Sequence, residues 1–252
     1  MNSEPSYDSY LTSIKPSYNP ETSYGHAPVT HTQQPIVTGT SVIGIKYKDG
    51  VMLAADCLAS YGSLARYKDV QRLHKVNKTT LLGASGDISD YQAVQHILKK
   101  ISVEDAIQDD GHSLNSKNIF EYMCNLMYSR RTKMNPLWNH FVIAGVVKGE
   151  GFLGAVDLKG NHHQAPTIAT GFGAYLAQPI LREAYENSNG QLSEDEAKQV
   201  LEKSMKVLYY RDARSINKIQ LSKVTEEGVT ISEPYSLETE WAFAENIRGY
   251  GA

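Results

Sequence analysis

Three residues near the start of the apolar part of the chain carry side chains that could do chemistry: Thr40, Asp56 and Arg72. Asp56 directly follows an apolar run, where a carboxylate is costly unless a cation or hydrogen-bond donors compensate its charge. Arg72, which follows a predicted loop of small and polar residues, is the natural partner for that charge. Any chemistry should therefore be sought around this hydroxyl, this carboxylate and this guanidinium.

A predicted β-hairpin positions the first two of these groups. The alternation of apolar and polar residues from Thr40 to Lys48 predicts one strand. The wholly apolar segment Val51–Ala55 predicts a second strand that is covered on both faces and ends at Asp56. Asp49-Gly50 between them predicts the turn, because glycine tolerates the positive φ that a tight primed turn requires.

Composition limits the class of protein. With 252 residues and 41% hydrophobic residues, the chain can bury one sizeable core as a single domain. A net charge of -3 gives no electrostatic support for nucleic-acid binding. The two cysteines, Cys57 and Cys124, have no metal or redox spacing and indicate a reducing compartment. No apolar run reaches the roughly 18 residues of a membrane span. We expect a soluble intracellular protein.

The first 31 residues differ from the remainder of the chain. This segment is rich in proline and serine and contains tyrosines without periodic spacing. Such a composition cannot bury enough apolar surface to offset the entropy lost on ordering. It also lacks the apolar region of a signal peptide. We expect residues 1–31 to be disordered.

The order of elements after the hairpin indicates an α+β fold. Two short strands precede a helix that Asp87 or Ser89 can cap, and a second helix ends near Pro136. A second run of strands follows, then a helix carrying Leu176 to Tyr185 and a helix opened by the capping box at Ser193–Glu196. Two final strands complete the order of a four-layer αββα sandwich. Periodicity alone does not distinguish this architecture from another α+β fold.

Two other patterns are weaker candidates for binding sites. Gly171-x-Gly173 follows a strand and opens a helix, as in a dinucleotide-binding loop, but Leu176 stands where the third glycine belongs. His162 and His163 are adjacent, so they face opposite sides of a strand, and no third metal ligand is nearby in sequence. We therefore predict no cofactor and no metal, and an independent nucleotide-binding protein is a disfavoured alternative.

Several of these segments resemble the proteasome β subunits, which belong to the N-terminal-nucleophile hydrolases. The resemblance begins with Gly39-Thr40, the hairpin, Ala54-Ala55-Asp56 and the basic residue Arg72. It implies a four-layer αββα sandwich with two antiparallel sheets between helix layers. In active members, cleavage exposes a threonine whose hydroxyl attacks peptide bonds. Five further segments are similar to those of non-catalytic members: Tyr61–Leu64, Ser85–Asp90, Lys133–Trp138, Ala169–Ala174 and Tyr209–Arg214.

The resemblance also allows the catalytic requirements to be checked. Active members pair the aspartate with a lysine, whereas this chain has Arg72, which cannot lose a proton near neutral pH. They hold the threonine amine with a glycine-flanked serine, whereas this chain has Phe172. Asp212 and Ser215 match a supporting motif, although Asp212 pairing with arginines at a helix end is an equally open interpretation. We predict a degenerate site without activity, and an active peptidase using Thr40 after cleavage at Gly39 is the alternative.

The remaining expectations follow from the resemblance. Residues 1–31 would be a propeptide that is cut before Thr32, residues 32–239 the β-subunit domain, and residues 240–252 an interaction tail. The partners would be the other α and β subunits of the 20S core particle, in stacked seven-membered rings, with no nucleic acid and no membrane. The protein would act in ubiquitin-dependent degradation in the cytoplasm and nucleus. The tail's predicted interface residues are Trp241, Phe243, Ile247 and Tyr250, with packing of Trp241 and Phe243 on this subunit itself as the alternative.

Overall fold

Side chains that alternate along the central strands sort the core into three apolar layers. The computed structural model describes residues 34–242. In the segment predicted to be covered on both faces, Val51, Leu53 and Ala55 contribute to the layer between two sheets. Met52 and Ala54 point the other way, into a layer shared with the helices of the second half of the chain. A third layer packs the first two long helices on the opposite sheet.

The described part of the chain contains thirteen strands and five helices. The strands are β1 (Val37–Gly39), β2 (Val42–Tyr47), β3 (Gly50–Asp56), β4 (Ala59–Tyr61), β5 (Leu64–Tyr67), β6 (Leu73–Lys75), β7 (Thr80–Asp87), β8 (Asn139–Val147), β9 (Glu150–Val156), β10 (His162–Gln164), β11 (Thr167–Ala169), β12 (Ile219–Thr225) and β13 (Gly228–Ile231). The helices are α1 (Ile88–Gln108), α2 (Ser116–Thr132), α3 (Gly173–Leu176), α4 (Gln178–Asn187) and α5 (Glu194–Arg211).

These strands form two antiparallel sheets. The first has the order β10-β9-β8-β7-β1-β4-β5, with β6 also paired to β7, and the second has the order β11-β2-β3-β12-β13. The first sheet carries α1 and α2 on its outer face, and the second carries α3 to α5. The predicted αββα sandwich is confirmed, with two antiparallel sheets between helix layers.

The β2–β3 hairpin is present, but its turn differs from the prediction. Tyr47 pairs with Gly50, so the two loop residues are Lys48 and Asp49 rather than Asp49 and Gly50. Gly50 has no positive φ. A glycine is needed there because a Cβ would lie 2.0 Å from the carbonyl oxygen of Val224 on the neighbouring strand. The constraint is close approach of two backbones, not turn conformation.

Other boundaries also differ from the sequence-based expectation. Thr40 does not belong to β2, which begins at Val42. The loop expected between Asp56 and Arg72 contains the β4–β5 hairpin. The helix expected to reach Pro136 ends at Thr132, because Met134 adopts a φ of 53°. The helix expected over residues 176–185 is divided into α3 and α4 at Ala177.

The predicted helix starts are present. The carboxylate of Asp87 accepts hydrogen bonds from the backbone amides of Ser89 and Asp90 and caps α1. Ser193 and Glu196 form the reciprocal capping box that opens α5. Across residues 34–242, no helix combines the length and the apolar character that crossing a membrane requires.

Candidate functional site

The chain passes from one sheet to the other at Thr40 and Ser41. The strand before these residues, β1, lies in the first sheet, and the strand after them, β2, lies in the second. Asp56 ends β3 beside this crossing, and Asp212 follows the last residue of α5. The two-sheet topology therefore brings together residues that are up to 172 positions apart in sequence.

Arg72 is the centre of the site and is fully buried. Its Nε donates to the backbone carbonyl of Asp56 at 3.0 Å. Nη1 donates to the carbonyls of Thr40 at 2.8 Å and Ala84 at 3.0 Å. Nη2 donates to the carbonyl of Ser41 at 3.0 Å and to Oδ1 of Asp56. These contacts use all five N–H donors of the guanidinium.

Asp56 forms the predicted ion pair with Arg72, and both side chains are buried. Its second carboxylate oxygen accepts a hydrogen bond from the backbone amide of Ile216 at 3.0 Å. Burial raises the pKa of the Asp56 carboxyl, and the charge of Arg72 and the amide of Ile216 oppose that rise. The pair thus joins β3 to the segment that precedes β6 and to the segment that follows α5.

The hydroxyl of Thr40 points toward Asp212 and donates a hydrogen bond to its Oδ2 at 2.6 Å. The other oxygen of that carboxylate accepts the backbone amide of Arg214 at 2.9 Å. Within residues 34–242 no arginine side chain forms an ion pair with Asp212, so the helix-end interpretation is not what the structure shows. The hydroxyl of Ser215 donates to the backbone carbonyls of Asp212 and Leu208 and supports the end of α5.

Phe172 lies on the open side of Thr40. Its side chain is 57% exposed and lines a cavity of about 300 Å³ together with Thr38, Gly39 and Thr40. A phenyl ring has neither donor nor acceptor, so Phe172 cannot orient an amine. The site therefore has a polar, buried side and an open side on which this position is apolar.

Two residues of the site, Ser41 and Thr170, are not predicted from the sequence, although Thr170 lies within the Ala169–Ala174 segment named above. The hydroxyl of Ser41 accepts the backbone amide of Gly173 at 2.8 Å. That of Thr170 accepts the backbone amide of Val42 at 2.9 Å and a hydrogen bond from the hydroxyl of Ser85 at 3.1 Å. These contacts connect the loop that carries Phe172 to the start of β2. A single Ser or Thr in a sequence does not reveal which backbone group its hydroxyl will bind.

The structure offers no support for the cofactor and metal alternatives in the part that it describes. The amide at Gly173 is already hydrogen-bonded to Ser41, and the helix that begins there has only four residues. Among residues 34–242, no group of three or more His, Cys, Asp and Glu side chains is placed to hold a metal ion.

The predicted processing and tail residues are mostly outside the described residues: Thr32, Phe243, Ile247 and Tyr250. Trp241 is described and contacts α5. Its ring lies edge-on to those of Tyr210 and Tyr209, with centroids 4.9 Å and 5.9 Å apart. The backbone amide of Glu240 donates to the Tyr210 hydroxyl at 2.7 Å. The start of the tail is therefore fixed to the chain's own last helix.

Comparison with known proteins agrees with this architecture. The family model described as "Proteasome subunit" matches residues 36–224. The chain is 52% identical over 226 residues to proteasome subunit beta type-4 of Xenopus laevis, covering 90% of this chain and 93% of that protein. It is 46% identical over 228 residues to probable proteasome subunit beta type-7 of Schizosaccharomyces pombe, covering 89% and 87%.

A budding-yeast relative extends this agreement. The chain is 44% identical over 236 residues to proteasome subunit beta type-7 of Saccharomyces cerevisiae, covering 90% of this chain and 89% of that protein. The family match includes most of the chain and nearly all of the strands that carry the site. The three relatives named here are β-type subunits, and the chain belongs to the proteasome subunit family.

Proposed function

We propose that the chain is a non-catalytic β subunit of the 20S proteasome core particle, at the seventh β position. In this role it completes the β ring and helps to join half-particles, in ubiquitin-dependent protein degradation. Its partners are the other α and β subunits of the stacked seven-membered rings, and it binds neither nucleic acid nor membrane. It works in the cytoplasm and the nucleus.

The bonding of Arg72 is the observation that carries the non-catalytic role. A threonine nucleophile needs a neighbour that can exchange protons with its surroundings. The guanidinium of Arg72 keeps its proton near neutral pH, and all of its donors are used by buried oxygen atoms. Its contact with Thr40 is to the backbone carbonyl rather than to the hydroxyl.

An active peptidase using Thr40 is the second candidate function. The 2.6 Å hydrogen bond from the Thr40 hydroxyl to Asp212 favours it, because a base at this distance can accept a proton. This function requires cleavage between Gly39 and Thr40. The non-catalytic role instead allows processing before Thr32, by a neighbouring active subunit, so that residues 32–39 stay attached ahead of Thr40.

The two functions predict different effects of Thr40→Ala in the assembled particle. We expect every peptidase activity of the purified particle to stay unchanged, and mass spectrometry of the subunit to find Thr32 as its N-terminus. An alanine in place of the N-terminal threonine of an active β subunit is the matched control, which should abolish one activity. Selective loss of an activity in the Thr40→Ala particle, with assembly intact, would support the peptidase instead.

The C-terminal tail is proposed to join half-particles. Trp241 anchors its start against Tyr209 and Tyr210, while Phe243, Ile247 and Tyr250 supply further large apolar groups to a partner surface. Deletion of residues 247–252 leaves the Trp241 contact intact, so we expect the subunit to fold and enter half-particles. Native gels should then show half-particles accumulating. A ratio of half to whole particles like that of the unmodified chain would contradict this role.

A further inference from the structure

The segment ahead of Thr40 forms a strand inside the first sheet. Antiparallel pairing joins β1 to β4 through Val37 and Thr38, opposite Tyr61 and Ser60. On its other side β1 pairs with β7, where Thr38 and Gly39 lie opposite Asp87 and Gly86. A short strand paired on both sides is an interior strand of the sheet, although it belongs to the part of the chain that an N-terminal nucleophile would discard.

The β4–β5 hairpin depends on this strand for its connection to the sheet. Among the described residues, β4 pairs with β1 and β5, and β5 pairs with β4 alone. Without β1, the facing backbone edges of β4 and β7 would lose their partners. The hairpin would then lose the strand that connects it to β7. The base of the hairpin keeps separate contacts with Lys218, through a backbone hydrogen bond from Cys57 at 2.9 Å and the ion pair of Asp69.

Buried charged groups fix both ends of β1. At its start, the backbone amide of Ile36 donates to Oδ2 of Asp87 at 3.0 Å, on the carboxylate that also caps α1. At its end, Nη1 of Arg72 binds the carbonyl of Thr40. The side chain of Arg72 also packs on Gly39, where an added Cβ would lie 2.4 Å from Cδ of the arginine. The Arg72 side chain cannot move away from Gly39, because five hydrogen bonds hold its guanidinium.

We propose that residues 36–39 are a permanent structural strand that connects the β4–β5 hairpin to the first sheet. Hydrogen bonds from Arg72 and to Asp87 hold its two ends. The inference rests on the proposed non-catalytic role, in which these residues are not removed. The inference assigns a structural function to Arg72, which holds in place the strand that cleavage before Thr40 would release. Cleavage at Gly39 would then loosen the hairpin and not merely expose a threonine.

Hydrogen exchange of the full chain tests this inference. Thr38→Pro removes a backbone donor from a strand that is paired on both sides. We expect amide exchange in Ala59–Tyr67 to accelerate about tenfold or more, since even one or two lost hydrogen bonds correspond to that factor. Exchange in the β12–β13 hairpin of the second sheet should not change. Gln34→Pro, which places a proline just before the strand, is the matched control and should alter neither region.

A second variant keeps the test decisive if Thr38→Pro unfolds the whole chain. Gly39→Ala inserts a methyl group against Arg72 and should accelerate exchange in β1, β4 and β5 while leaving β12 and β13 unchanged. Unchanged exchange in the β4–β5 hairpin, or equal acceleration in both sheets, would overturn the proposal. Neither result depends on peptidase activity, so failure here is distinguishable from failure of the non-catalytic role, which the Thr40→Ala particle measures.

Discussion

The two sides of Thr40 differ in burial and in hydrogen bonding. On one side, Asp56 and Arg72 form a buried pair in which both carboxylate oxygens and all five guanidinium donors have partners. On the other side, Phe172 is more than half exposed beside an open cavity and offers no polar group. On the first side every donor and acceptor of the ion pair is hydrogen-bonded, whereas the open side has an apolar side chain at position 172.

This difference distinguishes residues that stabilise the fold from a residue position that only catalysis would constrain. The buried pair connects β3 to the segments before β6 and after α5, so its loss would leave charges or carbonyls unpaired in the core. Phe172 contributes little to the stability of the core, because its side chain lies mainly on the surface of a loop. Substitutions on the two sides should therefore differ sharply in their effect on stability.

The largest effect is expected from Asp56→Ala. Removing the carboxylate leaves the Arg72 guanidinium buried without its counter-charge, which costs about 3–5 kcal/mol of unfolding free energy. Chemical denaturation of the full chain, or its incorporation into particles, should reveal this loss. Thr40→Ala is the control with the smaller expected loss, since it removes one hydroxyl hydrogen bond to the buried Asp212 carboxylate, worth about 1.5–3 kcal/mol. Equal stabilities of the two variants would contradict a structural role for the pair.

A smaller loss is expected from Arg72→Lys. A lysine ammonium has three donors in place of five, so at least two of the buried oxygen atoms lose a partner, at about 2 kcal/mol in total. The charge is preserved, so the loss should be smaller than that of Asp56→Ala. We expect no new peptidase activity in the assembled particle, because Thr40 would still be joined to Gly39, the last residue of the paired strand β1. Appearance of such an activity would show that the arginine alone had silenced the site.

Much of the fold is readable from sequence because its signals are local. The apolar run of β3, the capping box of α5 and the Asp87 cap each depend on neighbouring residues, and each was predicted. The pairing of Asp56 with Arg72 follows from the cost of an uncompensated charge at the end of an apolar strand. Each of these features is predictable because neighbouring residues, or a single uncompensated charge, determine it.

The remaining features depend on distant parts of the chain. All four residues of β5 are exposed and β1 has only three residues, so neither strand gives a periodic signal. The contact of Thr40 with Asp212 spans 172 positions. Gly50 resembles a turn glycine in sequence, but a neighbouring strand that begins almost 170 residues later sets its constraint. Only the assembled sheets reveal these relationships.

The smallest effect is expected from Phe172→Ser, which restores a hydroxyl on the open side. The Phe172 ring is 57% exposed, so its removal should change the unfolding free energy by no more than about 0.5 kcal/mol. We also expect no additional peptidase activity in assembled particles, because a serine there would meet a peptide nitrogen in place of a free amine, and Arg72 would still be unable to exchange a proton. Stability and peptide hydrolysis by assembled particles measure the two expectations separately. A large loss of stability would mean that Phe172 bears on the fold as Asp56 does, and the contrast between the two sides of Thr40 would then disappear.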